Sequence, residues 1–280
     1  MRQISERDDR HVAGTVRTFD HRDASTAELV AARAGRRVSV CLPARDEAST
    51  VGAIVGTIIG SLTSAGGGAD LVDEVLVVDD RSSDATATVA RSAGARVVRT
   101  PSGAGGKGAA MRTALEHADG DLVVFVDADI ENFEPHFVTG LLLPLLLRED
   151  VALVKGCYDR PLAGRAGEGG RVTELVAKPV LDLLFPRLSG VRQPLAGETA
   201  APRAVLDKVE LTDGYGVEIA VLIDVAEHFG IGSIAQVDLG TRVHRNRPLR
   251  QLRPQATDVL RAALHRAGVT DPRPPGTADR

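Results

Sequence analysis

Apolar residues in the first half of the chain follow two alternating periods. Continuous runs rich in Val and Leu have the length and composition of strands buried on both faces of a sheet; they cover residues 37–43, 74–79, 96–99 and 121–126. Between these runs apolar residues recur at helical spacing, which predicts helices over about 51–62, 85–93 and 107–118. This alternation is typical of βαβ units. It predicts an α/β protein with a Rossmann-like, mostly parallel sheet covered by helices on both faces.

The second half has a less regular pattern. Strands are predicted over 151–155 and 233–243, helices from Arg171, over 216–229 and within 248–267, and irregular structure over 194–202. The pattern divides the chain into four segments: an N-terminal arm with one short helix (1–36), the α/β part (37–160), the less regular part with a closing helix (161–269) and a Pro-rich tail that we expect to be disordered (270–280).

Composition excludes several classes of function. The 280 residues carry 34 Lys and Arg against 38 Asp and Glu, so no net basic field favours nucleic acid. Six Phe, two Tyr and no Trp argue against a platform that stacks bases or sugar rings. The longest apolar run, residues 141–147, is too short to span a membrane, and the N-terminus lacks the apolar core of a secretory signal. We therefore expect a cytoplasmic protein without a membrane partner.

Polar residues follow the predicted strands at the point where each strand ends. Arg45, Asp46 and Glu47 follow the first strand, and Asp80 follows the second. Ligands of open α/β sheets bind at the carboxyl ends of strands, so we expect these side chains in one cleft.

A pair of carboxylates closes the fourth strand. Asp127 and Asp129 are separated by Ala128, an arrangement that suits a divalent cation bound to a diphosphate. The alternative is that the two carboxylates only cap the strand. The strand context favours the metal.

A glycine-rich loop precedes Lys107. Residues 103–108 match the dinucleotide pattern G-x-G-x-x-G, but they follow the third strand instead of the first, and no Ser or Thr follows the lysine as in a P-loop. A flexible loop that opens a helix and carries a lysine still suits a phosphate. The alternative is an exposed turn.

Three features of the second half could carry chemistry. His244 lies among charged and amide side chains after a predicted strand, where it is either a ligand or a structural residue. Gly170, Arg171 and Thr173 begin a helix, where they could bind an anion or serve as ordinary capping residues. Glu218, in the first turn of the next helix, could complement the helix dipole, hold sugar hydroxyls or move a proton.

Taken together, these motifs resemble retaining glycosyltransferases of the GT-A fold. The first-half segments are similar to family 2-type enzymes. The later segments are more specific to family 81, the glucosyl-3-phosphoglycerate synthases, and to the related mannosyl-3-phosphoglycerate synthases. The resemblance runs from about residue 26 to 260 and rests on residues 42–47, 78–86, 106–108, 125–129, 153–161, 169–176, 193–198, 214–219 and 244–248.

The resemblance implies a nucleotide-sugar donor, Mg²⁺ or Mn²⁺, 3-phosphoglycerate as acceptor, and a homodimer. Residues 37–160 would bind the nucleotide sugar and residues 161–269 the acceptor. The implied donor-binding residues are Pro43, Ala44, Arg45, Asp46, Glu47, Asp80, Lys107, Asp127 and Ala128. Those implied for the acceptor are Gly170, Arg171, Thr173, Tyr215 and Asn246.

The resemblance also implies the reacting groups. Asp129 and His244 would bind the metal, Glu218 the sugar hydroxyls, and Leu195 would offer a backbone carbonyl near the reacting centre, with Asp127 close by. Glucose would move to the 2-hydroxyl of 3-phosphoglycerate with retention at the anomeric carbon. UDP-glucose is the preferred donor of this interpretation.

Other functions compete with this one. A mannosyl-3-phosphoglycerate synthase that uses GDP-mannose has nearly the same motifs. A transferase acting on a polyprenyl phosphate would be expected to carry a membrane helix or a basic amphipathic tail, which this sequence lacks. A sensor that binds a sugar nucleotide without turnover would need no acceptor pocket. At Asp80, Arg81 and Thr199 the chain departs from the family pattern, where we expect effects on nucleotide or sugar preference.

Overall fold

One twisted sheet organises the protein. The computed structural model describes residues 15–103, 105–161, 170–243 and 249–269. The described strands are β1 (Arg17–Asp20), β2 (Val38–Ala44), β3 (Glu74–Asp79), β4 (Arg96–Arg99), β5 (Leu122–Phe125), β6 (Leu153–Asp159), β7 (Thr199–Pro202) and β8 (Ile234–Thr241). Their order is β1-β8-β6-β7-β5-β2-β3-β4, and β7 alone among them runs antiparallel to its neighbours. The expected mostly parallel α/β sheet is confirmed.

Helices cover both faces of the sheet. They are α1 (Thr26–Arg33), α2 (Val51–Leu62), α3 (Thr86–Ser92), α4 (Gly106–His117), α5 (His136–Leu147), α6 (Lys178–Leu184), α7 (Arg203–Leu206), α8 (Val217–Phe229) and α9 (Leu249–Arg266). A π-helical segment, Thr173–Ala177, leads directly into α6, and short 3₁₀ turns lie at Ser64–Gly66, Pro186–Leu188, Gly214–Gly216 and Ile231–Ser233. Within the described ranges, no helix is both long and apolar enough to cross a bilayer.

Two hydrophobic cores lie on opposite faces of the sheet. Helices α1, α2, α3 and α5 form one core with alternate strand residues such as Val40 and Leu42. Helices α4, α6, α8 and α9 form the other, with Cys41 and other strand residues. Successive side chains of a strand point to opposite faces, so an apolar run such as β2 supplies both cores.

Helix α5 was not predicted from the sequence. Every residue from Phe137 to Leu146 is buried, so the helix has no polar face and therefore no amphipathic period. Pro144 lies inside it, where proline normally argues against helix. The surrounding core compensates for these unfavourable local signals.

The structure also corrects two segments that we expected to lie outside the sheet. Residues 194–202 were predicted to be irregular, but Thr199–Pro202 form β7 between β5 and β6. Residues 17–20 of the predicted arm pair with β8 at the edge of the sheet. Both strands have only four residues, too few for a clear alternating pattern.

The strand directions determine where the polar residues meet. The carboxyl ends of β2, β3, β5, β6 and β8 lie along one side of the sheet, which we call its carboxyl edge. Because β7 runs the other way, the segment before it, which contains Leu195, arrives at this same edge. Residues from every part of the chain therefore converge there.

Candidate functional site

A cavity of about 300 Å³ opens at the carboxyl edge of the sheet. This volume is at the lower end of the usual range for small-molecule sites. Its lining includes fifteen residues predicted from the sequence: Pro43, Ala44, Arg45, Glu47, Asp80, Lys107, Asp127, Ala128, Asp129, Gly170, Arg171, Thr173, Leu195, Tyr215 and Glu218. His244 and Asn246, two further predicted site residues, lie outside the described residues.

Loops after β2 and β3 form one wall of the cavity. Glu47 is buried there, and its backbone N–H donates to the Thr86 hydroxyl at 2.8 Å. Asp80 is also buried, and its Oδ2 accepts from the backbone N–H of Gly106 at 3.1 Å. This bond ties the glycine-rich loop before α4 to the end of β3.

Asp46, predicted to bind the donor, has a different position from the other predicted donor residues. It is not among the residues lining the cavity. Its backbone is left-handed, with φ 57°, and its Oδ1 accepts from the backbone N–H of Ser83 at 2.7 Å and from the Ser83 hydroxyl at 3.0 Å. The carboxylate therefore joins the loops after β2 and β3, an interaction that requires the folded loops and is not visible in the motif.

Lys107 projects from the first turn of α4 into the centre of the cavity. Its Nζ contacts Asp127 Oδ1 and lies 2.7 Å from Glu218 Oε1. Burial disfavours the charged amine, but these two carboxylates outweigh it and raise the pKa of Lys107 above its ordinary value. The lysine is therefore held as a cation between two acidic groups.

Gly108 lets α4 approach the segment that precedes α8. A Cβ at this position would overlap the carbonyl oxygen of Thr212. The glycine therefore serves helix packing as well as loop geometry, and it helps to bring Lys107 to Glu218.

Arg242 holds the acidic residues at the end of β5. Its Nη2 donates to Asp127 Oδ2 at 2.8 Å and to Asp129 Oδ1 at 2.7 Å, and its Nε lies 3.1 Å from Glu198 Oε1. The guanidinium is 2% exposed and Glu198 is fully buried. Burial opposes ionisation of Asp127, but Lys107 and Arg242 hold the pKa of this carboxyl well below its usual range.

Arg242 and Glu198 were not predicted as site residues. Glu198 lies inside a segment that carries the family resemblance, residues 193–198, and Arg242 lies two residues before another, 244–248; the residues predicted there are Leu195 and His244. An arginine two residues before a histidine, at the end of a predicted strand, was a usable signal. The pairing of Arg242 with Glu198 depends on β8 and β7, which lie on either side of β6 only in the folded sheet.

A second group of residues forms another wall of the cavity. Gly170, Arg171 and Thr173 line it, and Gly170 has a left-handed φ of 74°. Arg160, which follows β6, lines the same wall and was not predicted. Its Nη2 donates to the Tyr158 hydroxyl at 2.8 Å, and that hydroxyl lies 2.5 Å from Glu198 Oε2.

The loop that carries Leu195 passes close over Asp127. A Cβ on Gly197 would overlap the Asp127 carboxylate, so glycine is required for this approach. Lys155, a buried lysine of β6, supports the same loop. Its Nζ donates to the carbonyl oxygen of Ala196 at 2.6 Å and to the Thr199 hydroxyl at 2.9 Å, and burial lowers its pKa to about 8.

The described residues do not by themselves form a complete metal site. Within the described ranges there is no group of three His, Cys, Asp or Glu side chains that could hold a metal ion. Asp129 lines the cavity and is a quarter exposed. One or two carboxylates completed by substrate phosphates and water are the usual Mg²⁺ environment, so the donor set fits a metal that binds together with a diphosphate.

Comparisons with known proteins agree with this arrangement. Residues 39–166 match the family model for glycosyl transferase family 2. The glucosyl-3-phosphoglycerate synthase of Mycolicibacterium smegmatis is 46% identical over 257 residues, which cover 88% of this chain and 83% of that protein.

Two crystal structures of the glucosyl-3-phosphoglycerate synthase from Mycobacterium tuberculosis are similar over almost the whole fold. One, in complex with Mn²⁺, UDP-glucose and phosphoglyceric acid, has a TM-score of 0.82 at 42% identity and covers 92% of this chain and 89% of that one. The other, in complex with Mg²⁺ and UDP, has a TM-score of 0.84 at 41% identity and covers 92% and 88%. The chain therefore belongs to the glucosyl-3-phosphoglycerate synthase family, enzymes of the GT-A glycosyltransferase fold.

Proposed function

We propose that this protein transfers glucose from UDP-glucose to the 2-hydroxyl of 3-phosphoglycerate, with retention at the anomeric carbon. The observation that carries the proposal is the composition of the single cavity described above. Its acidic side, with Asp127, Asp129 and Lys107, suits a nucleotide diphosphate and its metal, and its other side, with Arg171 and Thr173, suits an anionic acceptor. A site that only binds a sugar nucleotide needs no second wall.

The donor would lie across the ends of β2, β3 and β5. Pro43, Ala44 and Glu47 would hold the uridine, with Arg45 and Asp80 beside it. Lys107 is held as a cation in the same cavity, so it would attract the negatively charged diphosphate and bind near it. Glu218, fixed by its ion pair with Lys107, would accept hydrogen bonds from the sugar hydroxyls.

Asp129 would hold Mg²⁺ or Mn²⁺ together with His244. When bound, the metal supplies positive charge that stabilises the departing diphosphate. Arg242 would keep the Asp129 carboxylate in position through its 2.7 Å hydrogen bond.

Gly170, Arg171, Thr173 and Asn246 would hold the acceptor so that its 2-hydroxyl faces the anomeric carbon. Holding both substrates in one cavity removes much of the entropic cost of their encounter. In the step we favour, the bond from the anomeric carbon to the diphosphate oxygen breaks and a bond to the acceptor oxygen forms on the same face. The departing diphosphate oxygen takes the hydroxyl proton. Leu195 would offer its backbone carbonyl beside this centre.

The test is a transfer assay with purified protein, 3-phosphoglycerate and MgCl₂. UDP-glucose, GDP-glucose and GDP-mannose are compared in parallel, and the product is identified by mass spectrometry and ³¹P NMR. We expect a hexosyl-3-phosphoglycerate from UDP-glucose. Product from GDP-mannose alone would instead identify a mannosyl-3-phosphoglycerate synthase, and tight donor binding without product would favour a sensor.

A matched pair of variants controls this assay. Asp129→Asn is expected to lose transfer. Asp150→Asn is expected to retain it, because Asp150 precedes β6 at the opposite edge of the sheet and pairs with Arg17 there.

We also propose a cytoplasmic homodimer. The cytoplasmic location follows from the proposed substrates, which are intracellular metabolites. The dimer would cover an apolar helix face on which Leu175 is 72% and Leu183 81% exposed. Light scattering tests the dimer, and Leu183→Glu is expected to shift the protein toward the monomer.

A further inference from the structure

Arg160 is a cation at the acceptor side of the cavity. Its guanidinium donates to the Tyr158 hydroxyl at 2.8 Å and lies 5.0 Å from the centre of the Tyr158 ring. A Cβ built on Gly170 would lie 3.8 Å from Arg160 Cδ and 3.7 Å from Thr173 Cβ. Arg160 and Thr173 therefore both lie beside Gly170.

The charge of Arg160 is less compensated than that of the other central cations. Lys107 pairs with Asp127 and Glu218, and Arg242 pairs with Asp127, Asp129 and Glu198. In the described part of the chain no carboxylate forms an ion pair with Arg160. Its hydrogen-bond partner there is the Tyr158 hydroxyl, and burial raises the pKa of Tyr158, so this hydroxyl is neutral.

Tyr158 fixes the orientation of Arg160. The ring is buried, and its hydroxyl lies 2.5 Å from Glu198 Oε2, which belongs to the Arg242 network. The guanidinium is therefore held before the acceptor arrives. A pre-positioned arginine loses less conformational entropy on binding an anion.

The acceptor of the proposed reaction carries two anionic groups, a phosphate and a carboxylate. Arg171 with Gly170 and Thr173 can account for one of them. We propose that Arg160 binds the other, the carboxylate next to the reacting 2-hydroxyl, and so selects 2-hydroxy acids over neutral polyol phosphates. This assignment rests on the proposed function.

The test compares acceptors that differ by one charged group. 3-Phosphoglycerate is compared with the glycerol phosphate enantiomer that has the same configuration at carbon 2 and a hydroxymethyl group in place of the carboxylate. D-Glycerate, which lacks the phosphate, is the second comparison. For each acceptor, kcat/KM is measured with the wild type, Arg160→Gln, Arg160→Lys and Arg171→Gln; where turnover is too slow, competitive inhibition constants replace it.

Arg160→Gln would remove charge-assisted hydrogen bonds to the acceptor carboxylate. From the usual contribution of such bonds to binding we expect kcat/KM for 3-phosphoglycerate to fall roughly 10- to 100-fold. The same change is expected to affect glycerol phosphate little, so that the preference for the carboxylate collapses. Arg160→Lys is expected to retain part of this preference. Arg171→Gln is expected to weaken discrimination against D-glycerate instead.

The outcomes separate this inference from the function on which it rests. Equal losses for 3-phosphoglycerate and glycerol phosphate in Arg160→Gln and Arg160→Lys, with an unchanged thermal unfolding midpoint, would overturn the assignment of Arg160 and leave the proposed function standing. Failure of the wild type to transfer glucose to 3-phosphoglycerate would overturn both.

Discussion

Replacement of Arg242 by methionine is expected to destabilise the protein strongly and in a pH-dependent manner. The side chain is 2% exposed and touches three carboxylates, those of Asp127, Asp129 and Glu198, at 2.7–3.1 Å. Methionine is unbranched and uncharged, and it can replace the aliphatic part of the arginine side chain. The variant therefore removes the compensating cation while it keeps much of the packing.

The size of the effect follows from the geometry. At an effective dielectric constant of about 20, two unit charges about 4 Å apart interact by about 4 kcal/mol. The attraction energy of three such pairs is partly offset by the free-energy cost of removing the ions from water. The loss of one partner from a buried ion pair typically costs about 3–5 kcal/mol, and we expect Arg242→Met to fall in this range.

The sign of the pH dependence distinguishes this cause from lost packing. In the wild type the pKa of Asp127 is held low, so its contribution to stability is present above about pH 4 and is lost only as the pH falls further. Without Arg242, mainly Lys107 opposes the effect of burial on Asp127, and we expect the pKa of this carboxyl to rise above its unfolded value. The stability of the variant then falls as the pH rises through that raised range, and the deficit is larger at pH 8 than at pH 5.

Urea unfolding of the wild type and Arg242→Met at pH 5 and pH 8 measures this difference. We expect the deficit to shrink at pH 5 by about 1 kcal/mol or more, because one pKa unit corresponds to about 1.4 kcal/mol. Arg203→Met is the control: Arg203 donates to the carbonyl oxygens of Leu115 and Gly120, so its loss should be independent of pH. Equal deficits of Arg242→Met at the two pH values would refute the electrostatic explanation.

Three further predictions concern the loop over Asp127 and the metal. Gly197→Ala is expected to lower kcat roughly 10- to 100-fold by displacing the Asp127 carboxylate, whereas Gly190→Ala should not, because the space around Gly190 is open. Similar kcat values for both variants would contradict the close approach of the Gly197 loop to Asp127. Between about pH 8 and pH 10 the unfolded state binds more protons at Lys155 than the folded state does, so the free energy of unfolding of the wild type should rise with pH and that of Lys155→Met should lack this rise. Urea unfolding that gives the same pH dependence for both proteins would contradict this prediction. EDTA is expected to abolish transfer and added Mn²⁺ to restore it, while the unfolding midpoint of the ligand-free protein stays constant because Asp129 is balanced by Arg242; full activity in EDTA would exclude the metal role.

Most of the first half of the fold could be predicted from local pattern. The helix predicted over 51–62 is α2, and the strand predicted over 74–79 is β3. Both segments have a strong hydrophobic pattern, and tertiary contacts did not change the secondary structure that this pattern favours. The expectation that polar residues after these strands share one cleft followed from the same pattern, because the carboxyl ends of parallel strands lie along one edge of a sheet.

The remaining features depend on contacts between distant segments. Strand β7 is recognisable only through its pairing with β5 and β6, and α5 only through the core that surrounds it. The Arg242 network joins residues 44 and 115 positions apart, to Glu198 and Asp127 respectively. Burial of an ion cluster leaves little trace in the composition of any one segment.

The reversed strand β7 has a mechanical consequence. It comes from the half proposed to bind the acceptor and is hydrogen-bonded on both sides to strands of the half proposed to bind the donor, β5 and β6, so the two halves share one uninterrupted main-chain lattice. The two halves cannot swing apart about a hinge without breaking this lattice. The alignment of the two proposed substrates is therefore built into the backbone before either one arrives.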